Sequence, residues 1–271
     1  VGVRTVVKFF GTDTAEWLAS RYGRADLLVG NNVLAHVPDL NDFVRGMSLM
    51  LKPAGVITME FPHLMQLVEQ HQFDTIYHEH FSYFSFTTVE NVFAAHGITL
   101  YDVEELPTHG GSLRIFGRHE AHDLPVSERV HDLKRREKQW GVGRPDVYRA
   151  FDERVKESKR AILSFLIEAR TAGKAVVGYG AAGKGNTLLN YCGIRGDFLD
   201  YIVDRSPHKQ NTYTPGTHIP VHAPSRIRET RPDYLFILPW NLKDEIMHQM
   251  SCIREWGGRF VVPIPEVRIH E

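Results

Sequence analysis

The chain has 271 residues, 42% of them apolar, enough for a proper core and, by length, for about two domains. Its 32 basic and 33 acidic residues leave a formal charge of −1, which lacks the electrostatic footprint of a nucleic-acid binder and favours small-molecule chemistry. Cys192 and Cys252 form no CxxC pair, so a disulfide framework and a cysteine zinc site lack support and a reducing cytoplasm fits; no apolar run approaches the roughly 20 residues that span a bilayer.

The chain opens on VGVRTVVKFF, without a secretory leader and already strand-like, which reads as a start inside a domain. Residues 4–10 are expected as a strand, 14–22 as a helix, 25–37 as a strand and its exit, 40–51 as a helix, and 55–62 as a strand after the turn LKPAG. Strand, helix, strand at this spacing predicts right-handed βαβ units on a mostly parallel sheet. TTVENVFAAHG then reads as a helix closed by Gly97. ITLYDVEEL and GSLRIFGRH read as two late strands about the turn PTHGG, with antiparallel pairing open to them. From Pro125 to Gly173 long charged side chains dominate, with Phe151, Val155, Ile162, Leu166 and Ala169 at a helical period, and GVGRP divides two helices. A second α/β unit follows, its strands at KAVVGYG, FLDYIVD, HIPVH, PDYLFILP and GRFVVPIP. The expected organisation is an α/β domain over residues 1–121, a helical connector over 122–172 and a C-terminal Rossmann-like domain over 173–271.

Three stretches carry chemistry. GNNVLAHVPDL ends a strand, where open α/β sheets bind ligands; Asn31 and Asn32 are candidates to hold the amino-acid part of a cofactor, with His36 facing the reaction space. Against this stands the plainer view of asparagines as turn formers and His36 as a surface residue. FDTIYHEHFSYFS packs His78, Glu79 and His80 among aromatic residues. Metal binding ranks low for it: two imidazoles are too few, and His63 or His71 supplies no recognised spacing. Acid-base work fits better, with aromatic walls excluding water. VVGYGAAGKGNT sets Gly178, Gly180 and Gly183 in GxGxxG spacing between a strand and a helix, with Asp204 where a ribose-binding acid belongs. Alone it indicates NAD, hence an NAD-dependent sugar oxidoreductase as the rival activity. Gly185 in place of Ser or Thr argues against a P-loop.

GNNVLAHVPDLNDFV, LKPAGVITMEFPHL, FDTIYHEHFSYFS, DVEELPTHGGSLRIF, GYGAAGKGNTLLNYCGI and VDRSPHKQNTYTPGTHIPV, in this order, closely resemble the sugar C-methyltransferases that act on nucleotide-linked keto-deoxysugars. The resemblance covers essentially the whole chain. It implies two Rossmann-like lobes, an incomplete class I methyltransferase domain that binds S-adenosylmethionine and a C-terminal substrate-binding domain. Zinc is implied only for an N-terminal module that this sequence lacks, together with the first cofactor-binding strand.

By the same resemblance His80 is the base that removes the proton beside the sugar ketone, giving an enolate that attacks the sulfonium methyl. Tyr77, Glu79 and His36 orient the base or stabilise the enolate oxygen; a family tyrosine from the zinc module is absent. Phe9 and Phe10 flank the adenine, unless they are simply core. Gly180, Gly183, Lys184, Asp204 and Lys209 help to hold the nucleotide-sugar, the lysines as cations for its diphosphate. The implied partner is that small molecule, with no nucleic acid and no membrane, and loss of turnover in the shortened chain is a third reading.

Overall fold

The computed structural model describes residues 2–271 and divides them into two compact units. The first comprises 2–67 and 78–144, the second 68–77 and 145–271. The charged helical stretch is therefore shared between units. α5 (Glu128–Trp140) belongs to the first and α6 (Pro145–Thr171) to the second; Gly141, left-handed at φ 99°, ends α5.

In the first unit, α1 (Thr12–Tyr22), β1 (Ala25–Asn31), α2 (Leu40–Met50) and β2 (Leu51–Pro62) alternate as the apolar pattern predicts. α3 (Leu64–Glu69) opens the excursion toward the second unit, and α4 (Phe86–Ala94), β3 (Ile98–Leu106) and β4 (Ser112–His119) complete the sheet, ordered β1-β2-β4-β3. β1 runs parallel to β2, while β4 is antiparallel to both β2 and β3, so the late pair is a hairpin. LKPAG is no simple turn: it bulges out of β2, Ala25 pairing with Leu51 and Leu27 already with Val56. One sheet face buries Ile57, Met59 and Phe61 against Phe43 and Met47 of α2, Phe86, Val89 and Phe93 of α4, and Leu133 of α5.

Residues 4–10, expected as a strand, are not one. A strand needs a neighbour for its amides and a face to bury, yet Val7 is 95% and Phe9 98% exposed. The chain gains order at α1, which docks on α2 through two glycines: a Cβ on Gly46 would stand 2.7 Å from the Gly11 carbonyl carbon.

The second unit holds β5 (Val176–Tyr179), α7 (Gly183–Cys192), β6 (Ile202–Val203), β7 (Thr212–Tyr213), β8 (Pro220–His222), α8 (Arg226–Thr230), β9 (Tyr234–Ile237), α9 (Lys243–Gln249), β10 (Arg259–Val262) and β11 (Arg268–His270). Their order, β11-β10-β9-β5-β6-β8-β7, is parallel through its middle five strands and antiparallel at both edges. β5 is fully buried and has the later strands on either side, the doubly wound arrangement with a switch point between β5 and β9. Among the described residues, no helix is long and apolar enough to cross a membrane.

Candidate active site

At the carboxyl end of β1 the chain turns sharply. Asn31 is exposed, and Asn32 takes a left-handed conformation at φ 54°, which asparagine tolerates better than most residues. The Asn32 amide N–H donates to the Glu60 carbonyl at 2.8 Å, and a 3₁₀ turn over Leu34–His36 follows. The histidine stretch returns onto that turn, Phe81 and Ser82 donating their N–H groups to the Ala35 carbonyl at 2.8 and 3.4 Å. This backbone stitching places two imidazoles side by side. His36 and His80 have ring centroids 4.8 Å apart at 60°, and Tyr83 stands edge-on to His80 at 5.7 Å.

His36 Nδ1 lies 2.7 Å from the Glu79 carbonyl oxygen. A carbonyl only accepts, so Nδ1 carries a proton, and in the neutral ring Nε2 is the basic nitrogen. Glu79 thus acts on His36 through its backbone, while its carboxylate is exposed, as is His78. The expected aromatic enclosure is only partial: Phe84 and Phe86 are core, but Phe81 is 63% exposed. The stretch also crosses between units. Tyr77 belongs to the second, where its ring lies 4.0 Å from the Cβ position of Gly183. Of the proposed adenine flank, Phe10 packs edge-on against Phe43 at 5.4 Å, and Phe9 points into solvent.

In the second unit, Gly180 (φ 91°) turns the chain out of β5, and a Cβ there would stand 2.6 Å from Pro239. Asp204 follows β6 as the fingerprint requires, yet its carboxylate already accepts from the amides of Ala181 and Ser206 at 2.8 Å each, with Lys209 Nζ at 3.5 Å. Lys184 points inward, over the Trp240 ring at 4.6 Å and donating to Asn241 Oδ1 at 2.7 Å. Burial pulls its pKa down and the nearby Asp74 carboxylate pushes back. Asp74 is wholly buried and accepts from Trp240 Nε1 at 2.8 Å, while its Oδ1 has no partner. Of the five residues expected to hold the nucleotide, Gly183 stands exposed, whereas Lys184 and Asp204 are engaged within the protein.

Among the described residues, no group of three or more His, Cys, Asp or Glu side chains is placed to hold a metal ion. His63 instead bonds Glu137 at 2.8 Å, and His71 lies 3.4 Å from the Ser158 hydroxyl. A cleft of about 620 Å³ in the first unit lies between β3 and α5, lined by Glu105 and Arg136.

Residues 3–103 match the model of a methyltransferase domain, and residues 107–265 that of a C-methyltransferase C-terminal domain. The chain belongs to the C-methyltransferase family. It is 37% identical to C-methyltransferase NovU of Streptomyces niveus over 99% of its own length, and spans 64% of that protein. Among solved structures, the magnesium protoporphyrin IX methyltransferase of Synechocystis PCC 6803 with bound SAH aligns at 12% identity over 37% of this chain and 47% of its own, with a TM-score of 0.29. A putative methyltransferase in complex with the Haloferax volcanii Trm112 activator aligns at 12% identity over 35% and 54%, with a TM-score of 0.31.

A C-methyltransferase domain of this kind implies S-adenosylmethionine as methyl donor. The residues at the end of β1 fit its amino-acid end, because Asn32 Oδ1 is a buried acceptor with no partner, the state expected of an atom that a ligand completes. Sequence reasoning missed the rest of this edge. His109, in the turn read only as PTHGG, lies 3.2 Å from Asn32 Nδ2, and Glu60 receives Thr108 Oγ1 at 2.8 Å and Arg114 at 3.0 Å. A histidine ahead of two glycines in a hairpin turn was the available signal.

Proposed function

We propose that this protein is an S-adenosylmethionine-dependent C-methyltransferase that methylates the carbon beside the ketone of a nucleoside-diphosphate keto-deoxysugar through an enolate. The observation that carries this reading is the His36–His80 ring pair beyond the carboxyl end of β1, where Asn32 Oδ1 is also left unpartnered. A carbon-bound hydrogen beside a ketone is a weak acid, so base, oxyanion donor and electrophile must converge on one carbon. His80 takes the proton from carbon. His36, its Nδ1–H held by the Glu79 carbonyl, directs Nε2 toward the forming enolate oxygen, to which it donates once that nitrogen carries a proton. Tyr83 limits the motion of the His80 ring. Asn32, Asn31 and Phe10 hold the methyl donor, which when bound supplies an electrophilic methyl group.

A nicotinamide-dependent activity has less support. The crevice beyond β5 and β9, where a dinucleotide would lie, already contains Asp74 on Trp240 beside Lys184, and Asp204 is bonded to the amide of Ala181 in the glycine turn.

The test is solvent deuterium exchange at the ketone-adjacent carbon of a panel of nucleoside-diphosphate keto-deoxysugars, followed by mass spectrometry. His80→Asn should lower exchange by about 10² to 10⁴, the range a positioned base contributes, and leave substrate affinity nearly unchanged. Exchange that persists would place the base elsewhere.

A further inference from the structure

We propose that His109 is a positioning residue for the methyl donor: through its imidazole it fixes the side-chain amide of Asn32, so that Oδ1 is the atom left to receive the donor's amino group. The proposal rests on the reading above. An asparagine amide presents either a donor or an acceptor, and what meets one end decides the other. Here Asn32 Nδ2 lies 3.2 Å from His109 Nε2, and an imidazole nitrogen without its proton accepts from that N–H. Oδ1 is thereby turned the other way, where it is buried and has no partner. An acceptor so placed selects a ligand N–H, and a charged ammonium most strongly. Asn32 as a whole is only half-buried, and its neighbour Asn31 is exposed, so the amide lies close to the surface while His109 stays on Nδ2.

The surrounding chain is built to hold this pair. Asn32 and His109 both sit at φ 54°, in the left-handed region that asparagine and histidine enter more readily than most residues. Glu60 aligns both residues. Its carbonyl accepts the Asn32 N–H at 2.8 Å, and its buried carboxylate, held by Arg114 at 3.0 Å, accepts the Thr108 hydroxyl at 2.8 Å one residue before His109. Gly110 and Gly111, at φ 89° and 120°, complete the turn, and a Cβ on Gly111 would meet Gln66 at 2.9 Å. The turn thus sets the imidazole on Nδ2 of an amide whose Oδ1 alone is left without a partner.

The experiment is calorimetric titration of the full-length protein with S-adenosylhomocysteine, alongside deuterium exchange measured without methyl donor. His109→Ala should weaken S-adenosylhomocysteine about tenfold, the effect of one misdirected hydrogen bond to a charged group. His109→Gln, whose carbonyl accepts the same N–H, should recover to within about threefold of the parent. Asn32→Ala should lose as much as His109→Ala, and the double variant no more than Asn32→Ala alone, since His109 acts through Asn32. Exchange should stay within about twofold in the His109 variants, because the donor end takes no part in it. Unchanged affinity in His109→Ala, additive losses in the double variant, exchange that falls together with affinity, or a parent protein that binds no S-adenosylhomocysteine would each overturn the proposal. Absence of exchange in the parent would instead overturn the enolate reading, leaving the His109–Asn32 coupling to stand on the titrations.

Discussion

Asp74 shows what burying a carboxylate costs when its hydrogen bonds are incomplete. It is 0% exposed, receives one hydrogen bond, from Trp240, and leaves Oδ1 unpartnered. Burial pushes its carboxyl from 3.8 up to about 7, against the pull of Lys184 and Trp240. The sign follows from linkage. Below pH 4 the carboxyl is neutral in both folded and unfolded chains, so its stability contribution is fully present. As the pH rises toward 7 the unfolded chain ionises while the folded one resists, so that contribution is lost, and above 7 the deficit stays constant at on the order of 4 kcal/mol. Asp74→Asn keeps an acceptor for Trp240 and abolishes the titration, while forfeiting the attraction to Lys184. Thermal midpoints should therefore be equal near pH 4 and diverge upward for the variant, reaching on the order of 5 to 10 °C at pH 8. A gap independent of pH would mean that Asp74 does not titrate as its surroundings require.

One element shows how far a buried carboxylate can instead be compensated. Glu137, on α5, is fully buried yet accepts the first two amides of α4, Phe86 at 2.6 Å and Thr87 at 2.9 Å, the Thr87 hydroxyl at 2.6 Å and His63 at 2.8 Å. Burial alone would raise its pKa; the hydrogen bonds led by His63 and Thr87 outweigh this and hold it below the ordinary value. Its contribution is thus present above the unfolded carboxyl value and lost as pH falls through the lowered one. Glu137→Gln sets an NH₂ against donors and should cost about 3 kcal/mol in denaturant unfolding at pH 7, with a shallower loss of stability on acidification than the parent shows. Parent-like acid sensitivity in the variant would assign that sensitivity elsewhere. Elements of this kind are only half legible in a sequence. The periodicity of TTVENVFAAHG announces α4, but that the helix's N-terminus is capped by a residue 51 positions on does not show. The same holds at the site. Asn32 and His36 follow from their place after a strand, whereas Glu79 works through its carbonyl and His109 meets Asn32 across 77 residues, contacts fixed by the chain's path. Residues 4–10 fail as a strand because propensity describes a residue, while a strand requires a neighbour to pair with.

At the scale of the molecule the two units are not consecutive in sequence. Residues 68–77 leave the first unit, fold with the second and return at His78, so a division into 1–121, 122–172 and 173–271 does not follow the packing. Within the second unit this decapeptide is integral: Phe73 joins its core and packs at a tilt against Tyr191, ring centroids 5.1 Å apart, Asp74 receives the Trp240 indole N–H, and His71 meets Ser158 on α6. A polypeptide of residues 145–271 alone would leave the Trp240 indole N–H without its acceptor and open a groove where Phe73 lay. A buried phenylalanine is worth about 3 kcal/mol or more, and the lost hydrogen bond adds about 1. Such a polypeptide should melt well below the second unit of the whole chain, and a synthetic peptide of residues 68–77 added in excess should raise its midpoint, by mass action on the folded form. The same peptide with Phe73→Ala and Asp74→Ala should have little effect. Equal effects from both peptides would show that the decapeptide lies on the second unit without holding it. Within the first unit the Ala35 backbone contacts hold the segment that carries His80, and Phe81→Pro, which removes the shorter of those two hydrogen bonds, should lower deuterium exchange as far as loss of His80 itself.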